Sequence, residues 1–149
     1  MAAACLAAAA LPLSIGADAL GEDARKMLVD TGGWEYVTLS DEQNGFPTVH
    51  TCFDGNQHEN ECSGRLILTP GKTFTQVVRI KGHPVRRHGT YELNGNQLAF
   101  FDELGTKDGP YTLSLDTVAK RLKMSMPQVN VELMLESEYR EQQKAARHK

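Results

Sequence analysis

The chain has 149 residues, of which 40% are hydrophobic and 23% are charged, and its formal net charge is −3. This length suits one domain with a single core and excludes a second domain within it. Since the charge is near balance, neither nucleic acid nor an anionic membrane surface is expected as a partner, because both would require a concentrated basic excess.

The first 19 residues predict a signal peptide. Ala2 to Leu13 is an apolar run shorter than the roughly 20 residues that a membrane-spanning helix needs, and Ala17-Asp18-Ala19 provides a small-x-small cleavage site. We therefore expect an extracytoplasmic protein, periplasmic or secreted, with no transmembrane segment after cleavage. An alternative places a lipid anchor on Cys5, but the apolar run follows this cysteine, whereas a lipoprotein signal would place it before.

The mature chain begins with a predicted short helix and a strand. Leu20 to Asp30 has apolar residues at helical spacing and acidic residues in its first turn. Gly32 and Gly33 then allow a sharp turn into a strand that runs from Trp34 to Leu39.

The next segment, Ser40 to Ser63, is polar and contains Cys52 and Cys62. In an oxidising compartment these two favour a disulfide, which would close a short loop and stabilise the fold by about 2–3 kcal/mol. The alternative is a zinc or copper(I) site formed by His50, Cys52, His58 and Cys62. It is less favoured because extracytoplasmic thiols usually oxidise and because the spacing matches no standard zinc knuckle.

From Gly64 to Leu135, apolar residues recur at every second position between turn sequences such as Pro70-Gly71 and Asn94-Gly95. This pattern predicts antiparallel hairpins, with Gln76 as a polar exception on an otherwise apolar face. Including Trp34 to Leu39 there are eight strands, with a possible ninth around Thr48 to Phe53. The others are Arg65 to Thr69, Thr73 to Ile80, Thr90 to Leu93, Gln97 to Asp102, Tyr111 to Asp116, Arg121 to Met126 and Val129 to Leu135.

The predicted fold class is therefore all-β, an antiparallel up-and-down barrel of eight or nine strands with a short N-terminal helix. The barrel domain spans residues 20–135. Residues 136–149 form a charged tail, expected to be a frayed helix or disordered.

Two resemblances support a barrel. Gly32-Gly33-Trp34 before a series of hairpins resembles the lipocalin and wider calycin barrels, in which the Trp closes one end. Cys62-Ser63-Gly64, Thr73-Phe74 and Gly89-Thr90-Tyr91 are similar to the small barrel domain of bacterial copper-homeostasis and envelope-stress lipoproteins. That family has a Cys-x-x-Cys motif, whereas position 59 here is Glu, so the resemblance implies a shared barrel and not a copper function.

A barrel of about eight strands is just wide enough to be filled by its own side chains or to hold one small ligand. We predict a binding module for a small apolar or amphipathic ligand, such as a lipid. The alternative is an envelope interaction or stress-related protein with a filled barrel. The candidate pocket residues are Trp34, Tyr36, Phe74, Tyr91, Phe100, Met124 and Met126.

The basic connection from Lys81 to His88 is a candidate anion site at the barrel mouth, because Arg86 and Arg87 offer planar multi-donor contacts. The alternative is a loop that is merely solvated. The sequence has no Gly-x-Ser-x-Gly motif, and its histidines have no clear Ser or Cys partner. We therefore expect no enzyme activity and no cofactor.

Overall fold

The computed structural model describes residues 19–53 and 61–148. The predicted signal peptide, apart from Ala19, lies outside the described residues, as do Cys5 and His58. The described part contains helices α1 (Glu22–Leu28) and α2 (Glu136–Arg147) and nine strands. The strands are β1 (Trp34–Gln43), β2 (Phe46–Thr51), β3 (Cys62–Leu68), β4 (Thr73–Ile80), β5 (His83–Asn94), β6 (Gln97–Asp102), β7 (Lys107–Asp116), β8 (Arg121–Met126) and β9 (Val129–Leu135).

The sheet closes into a barrel because β1 pairs with the last strand. One edge of β1 pairs antiparallel with β9, from Trp34 opposite Leu135 to Asp41 opposite Val129. The other edge pairs first with β3 and then with β2. From β3 to β9 each strand pairs with its neighbour in sequence. The result is a closed eight-stranded up-and-down barrel with β2 as an extra strand, which confirms the predicted fold class.

Four strands have the predicted bounds, namely β4, β6, β8 and β9. The largest difference is β5, which begins at His83 and not at Thr90, so the predicted basic loop is mostly strand. Lys81 and Gly82 form its turn with φ of 50° and 83°, and His83 to His88 pair with β4. The β5–β6 pairing begins only at Gly89, so the edge of β5 that faces β6 is unpaired at Pro84. Proline has no backbone N–H, and its absence therefore costs no hydrogen bond to β6.

One end of the barrel is filled around Trp34. Its side chain is completely buried, and the indole Nε1 donates a hydrogen bond of 3.1 Å to the Leu28 carbonyl at the end of α1. Gly33 has φ +74°, and a Cβ there would lie 2.7 Å from the Leu66 carbonyl oxygen, so the turn into β1 requires glycine. The side chains that fill this end are Leu66, Leu68, Phe74, Leu98, Leu122 and Leu133.

A disulfide joins Cys52 to Cys62. It links the end of β2 to the start of β3, the two strands that share one edge of β1. Cys52 N–H also donates to the Val37 carbonyl at 2.8 Å. The predicted disulfide is thus confirmed, and it occupies both sulfurs of the alternative metal array. Within residues 19–53 and 61–148, no group of three His, Cys, Asp or Glu side chains is arranged to hold a metal.

The charged tail forms helix α2, which has no buried residue but contacts the barrel wall. The rings of Tyr139 and Phe53 lie 4.6 Å apart, and the Glu136 carboxylate lies 3.8 Å from the Arg65 guanidinium. The tail is therefore helical over Glu136–Arg147. Neither described helix is long and apolar enough to cross a bilayer.

The disulfide should stabilise the fold, because it joins the two strands that share one edge of β1 and restricts the unfolded chain. Replacing Cys52 and Cys62 together by Ala should lower the unfolding free energy by about 2–3 kcal/mol in urea denaturation. Reductant should destabilise the wild type by a similar amount and leave the double variant unchanged. An equal response of the two proteins to reductant would contradict the bond.

Candidate functional site

The end of the barrel opposite Trp34 contains a cavity of about 190 Å³ that opens to solvent. It lies where β1 and β4 end and where β5 and β9 begin. Most of its wall is aliphatic. The apolar lining consists of Leu39, Val78, Ile80, Val85, Met124, Val129 and Val131, together with Phe100 deeper in the barrel. Such a concave apolar wall is typical of small-molecule sites.

Below this wall lies a polar cluster, formed by Tyr36, Gln76, Arg87, Asp108 and Tyr111. Arg87 Nη1 donates to Asp108 Oδ2 at 2.8 Å and to Gln76 Oε1 at 3.4 Å. The Tyr111 hydroxyl donates to Asp108 Oδ1 at 2.9 Å, and Gln76 Nε2 donates to the Tyr36 hydroxyl oxygen. The cavity therefore combines apolar walls with a hydrogen-bonded polar floor.

Strand register places Gln76 and Arg87 side by side in the interior. The two residues are directly opposite each other in the β4–β5 ladder, so their side chains share one face. Alternation along β5 from buried Tyr91 puts Gly89 and Arg87 on that same inner face. The Arg87 guanidinium carbon lies 6.0 Å from the centre of the Phe74 ring, the range of a cation–π contact.

Asp108 reaches the interior through an irregularity in the β6–β7 ladder. Leu98 is opposite Tyr111 and Phe100 is opposite Asp108, so β7 has one more residue than β6 in this interval. An extra residue of this kind reverses the facing of the side chains beyond it. Gly109 within the irregularity has φ +114°, a conformation that favours glycine. Asp108 and Tyr111 are an odd number of positions apart, so in a regular strand they would lie on opposite faces. Since Tyr111 faces inward, Asp108 would face outward without the extra residue.

The ring of Tyr36 fits because the facing position on β3 is glycine. A Cβ at Gly64 would lie 3.1 Å from Tyr36 Cδ2 and closer still to the Val77 carbonyl. Burial raises the pKa of Tyr36 from its usual 10.0 to about 12. Burial and the neighbouring Asp108 carboxylate also raise the pKa of Tyr111. Both hydroxyls therefore stay protonated near neutral pH.

Three of the seven predicted pocket residues line the cavity, namely Tyr36, Phe100 and Met124. Phe74 lies just below, with its ring 4.8 Å from that of Phe100. Trp34 fills the opposite end, where the Tyr91 hydroxyl donates to the Thr69 carbonyl at 2.5 Å. Met126 is partly buried at the end of β8 and does not line the cavity. Six of the seven side chains are buried and Met126 is partly buried. The cavity occupies only the end of the barrel opposite Trp34, so it reaches only some of them.

The two candidate anion-binding residues lie on opposite faces of β5. Arg87 faces the cavity and is paired with Asp108, whereas Arg86 is exposed on the outside. A second depression at the rim is lined by both arginines but also by Asp102 and Glu103, which offset their charge. A joint contact of both arginines to one anion stays a prediction. Of the two, only Arg87 lines the cavity, where Asp108 already pairs with it.

Sequence reasoning missed three members of the polar cluster, Gln76, Asp108 and Tyr111, as site residues, and it named Arg87 only as part of an anion site in a loop at the barrel mouth. Gln76 was visible as the polar exception on the inward face of its strand. The inward orientation of Arg87 would have emerged if the alternation of Tyr91 and Leu93 had been extended backward along β5. Asp108 had no such signal, because its facing depends on the extra residue in β7.

The buried Tyr36 hydroxyl gives a pH prediction. Its folded-state pKa is raised, so its contribution to stability is complete below pH 10 and is lost as pH rises through about 12. In urea denaturation, Tyr36→Phe should reduce this alkaline loss by roughly 2–3 kcal/mol. Tyr139→Phe, a control at the barrel surface, should reduce it less. Equal alkaline losses in the wild type and Tyr36→Phe would contradict the assignment.

Comparisons with known proteins do not extend this description. No protein-family model matches the chain, and no match is found among curated proteins or among solved structures.

Proposed function

We propose that this protein is an extracytoplasmic, non-catalytic lipocalin-like barrel that binds one small amphipathic ligand at its open end. The observation that carries the proposal is the cavity of about 190 Å³, in which aliphatic walls surround a polar floor. An eight-stranded barrel is wide enough for one small ligand when side chains leave part of it empty. Here Trp34 and its neighbours fill only the opposite end.

The polar cluster favours binding over catalysis. The raised pKa values of Tyr36 and Tyr111 make both hydroxyls donors and not bases at neutral pH. The Asp108 carboxylate already accepts hydrogen bonds from Arg87 and Tyr111. A few polar groups fixed in an apolar pocket are the usual means of orienting a ligand.

The lipocalin-like assignment is supported by the closed up-and-down barrel and by buried Trp34 directly after Gly32 and Gly33. The extracytoplasmic location is supported by the disulfide between Cys52 and Cys62, since such bonds persist mainly in oxidising compartments. The signal peptide predicted over residues 1–19 is consistent with this location.

A second candidate is an interaction module that uses the outer surface of the barrel. It is favoured by two apolar side chains on the extra strand β2, Phe46 at 76% and Val49 at 59% exposure. Exposed apolar residues on an end strand are typical of contact surfaces. Native mass spectrometry of the protein from its own host separates the candidates. A co-purifying small molecule supports ligand binding, whereas a bare polypeptide mass favours the interaction module.

Filling the cavity should abolish ligand binding without harming the fold. Val78 is buried against the cavity and faces Gly64, so Val78→Phe should occupy the empty space and keep or raise stability, by up to about 2 kcal/mol. Val77→Phe adds the same atoms on the outer face of the same strand. In a thermal-shift screen of short-chain amphiphiles, ligands that stabilise the wild type should stabilise Val77→Phe and fail with Val78→Phe. Retained binding in Val78→Phe would refute the site.

A further inference from the structure

The hydrogen bonds of the polar cluster have a fixed direction. A guanidinium only donates, so Arg87 must contact the oxygen of the Gln76 amide and leave its nitrogen to face Tyr36. The Tyr36 oxygen therefore accepts from Gln76, and its own hydroxyl hydrogen remains to be donated. Gln76 is the only side-chain hydrogen-bond partner of Tyr36 among the described residues. The floor of the cavity thus offers a buried hydroxyl donor.

The charges of the cavity cancel. Arg87 and Asp108 are the only charged side chains among the described lining residues, and they form an ion pair of 2.8 Å. Tyr111 gives the same carboxylate a further donor. A carboxylate ligand would bring a third charge into an apolar cavity, close to Asp108 and without a free countercharge, which is costly. An uncharged head group carries no such cost.

The volume limits the size of the ligand. The cavity, at about 190 Å³, lies between the roughly 150 Å³ of an apolar cavity that holds benzene and the roughly 300 Å³ of the smallest drug-sized pockets. Most of the wall residues, such as Leu39, Val78 and Val131, are aliphatic, and they suit a short alkyl chain or a single ring.

On the basis of the proposed ligand binding, we propose that the ligand is an uncharged amphiphile of roughly ten non-hydrogen atoms whose head group accepts a hydrogen bond from Tyr36. Primary amides and alcohols have this chemistry. The Arg87–Asp108 pair has the second role of rejecting the corresponding carboxylate. The raised pKa of Tyr36 keeps its hydroxyl protonated, and therefore a donor, throughout the neutral range.

The test uses octanamide and octanoate, which have the same size and differ in charge, together with octylammonium. Binding to the full chain at neutral pH is measured by isothermal titration calorimetry, and the side-chain amide signals of Gln76 in NMR spectra report occupation of the cavity. The wild type should bind octanamide at least about tenfold more tightly than octanoate or octylammonium. Tyr36→Phe should weaken octanamide binding by about three- to tenfold.

The charge variants test the role of the ion pair. Asp108→Asn leaves Arg87 without its countercharge, so octanoate should gain about tenfold or more and the preference should disappear or reverse. Glu103→Gln is the matched control, because it removes one negative charge at the rim, where Glu103 contacts His88 outside the cavity. Its preference should equal that of the wild type. If Asp108→Asn does not fold, Arg87→Gln should shift the preference toward octylammonium instead.

The outcomes separate this inference from the function on which it rests. Octanoate binding as tight as that of octanamide in the wild type, or a preference unchanged in both charge variants, overturns the selection by charge and leaves ligand binding intact. If none of the three probes binds and Val78→Phe behaves as the wild type in the amphiphile screen, the proposed function and this inference both fail.

Discussion

The pairing of β1 with β9, from Trp34 to Asp41, is the constraint on which the rest of the structure depends. It turns a row of hairpins into a closed barrel and leaves one edge of β1 for β3 and β2. Since β3 pairs with only the first residues of β1, the remainder of that edge would be open without β2. The Cys52–Cys62 bond holds the two strands end to end along it. Closure thus depends on one strand with three partners, two of which are joined covalently to each other.

Closure also gives the two ends of the barrel different characters. At one end Trp34 bonds to α1 and large apolar side chains fill the interior. Toward the other end, inward positions carry Gln76, Arg87 and Asp108, and the apolar residues above them are mostly Val, Leu and Ile, which leave space. A polar group in a barrel interior is costly unless it is hydrogen-bonded. The cluster meets this condition by mutual contacts, in which Arg87 and Tyr111 both donate to Asp108 and the charges of Arg87 and Asp108 cancel.

Much of the fold could be predicted from local pattern. Alternation from Gly64 to Leu135 and turn pairs such as Asn94-Gly95 determine strands and hairpins within a few residues, because both signals act over short distances. The start of β5 was wrong, since Pro84 and the basic residues resemble a loop. They form a strand because β4 pairs with them and β6 does not reach them. The inward aromatic residues were predictable as core, but their positions along the barrel axis were not. These positions decide which of them line the cavity.

By itself the sequence determined the fold class, the cysteine pair and the inward face of most strands. The alternation of side chains along a strand can be read from a few neighbouring residues. The disulfide follows from two cysteines in a chain with a predicted signal peptide, because oxidising compartments favour the bond. The tertiary structure alone decided that Tyr36, Gln76, Arg87, Asp108 and Tyr111 meet, although 75 positions separate Tyr36 from Tyr111 in the chain. Their meeting depends on the register of the five ladders that lead from β1 through β3, β4, β5 and β6 to β7, and on one extra residue in β7. A shift of one residue in any of these ladders would turn side chains to the other face of the sheet, and no local signal records it.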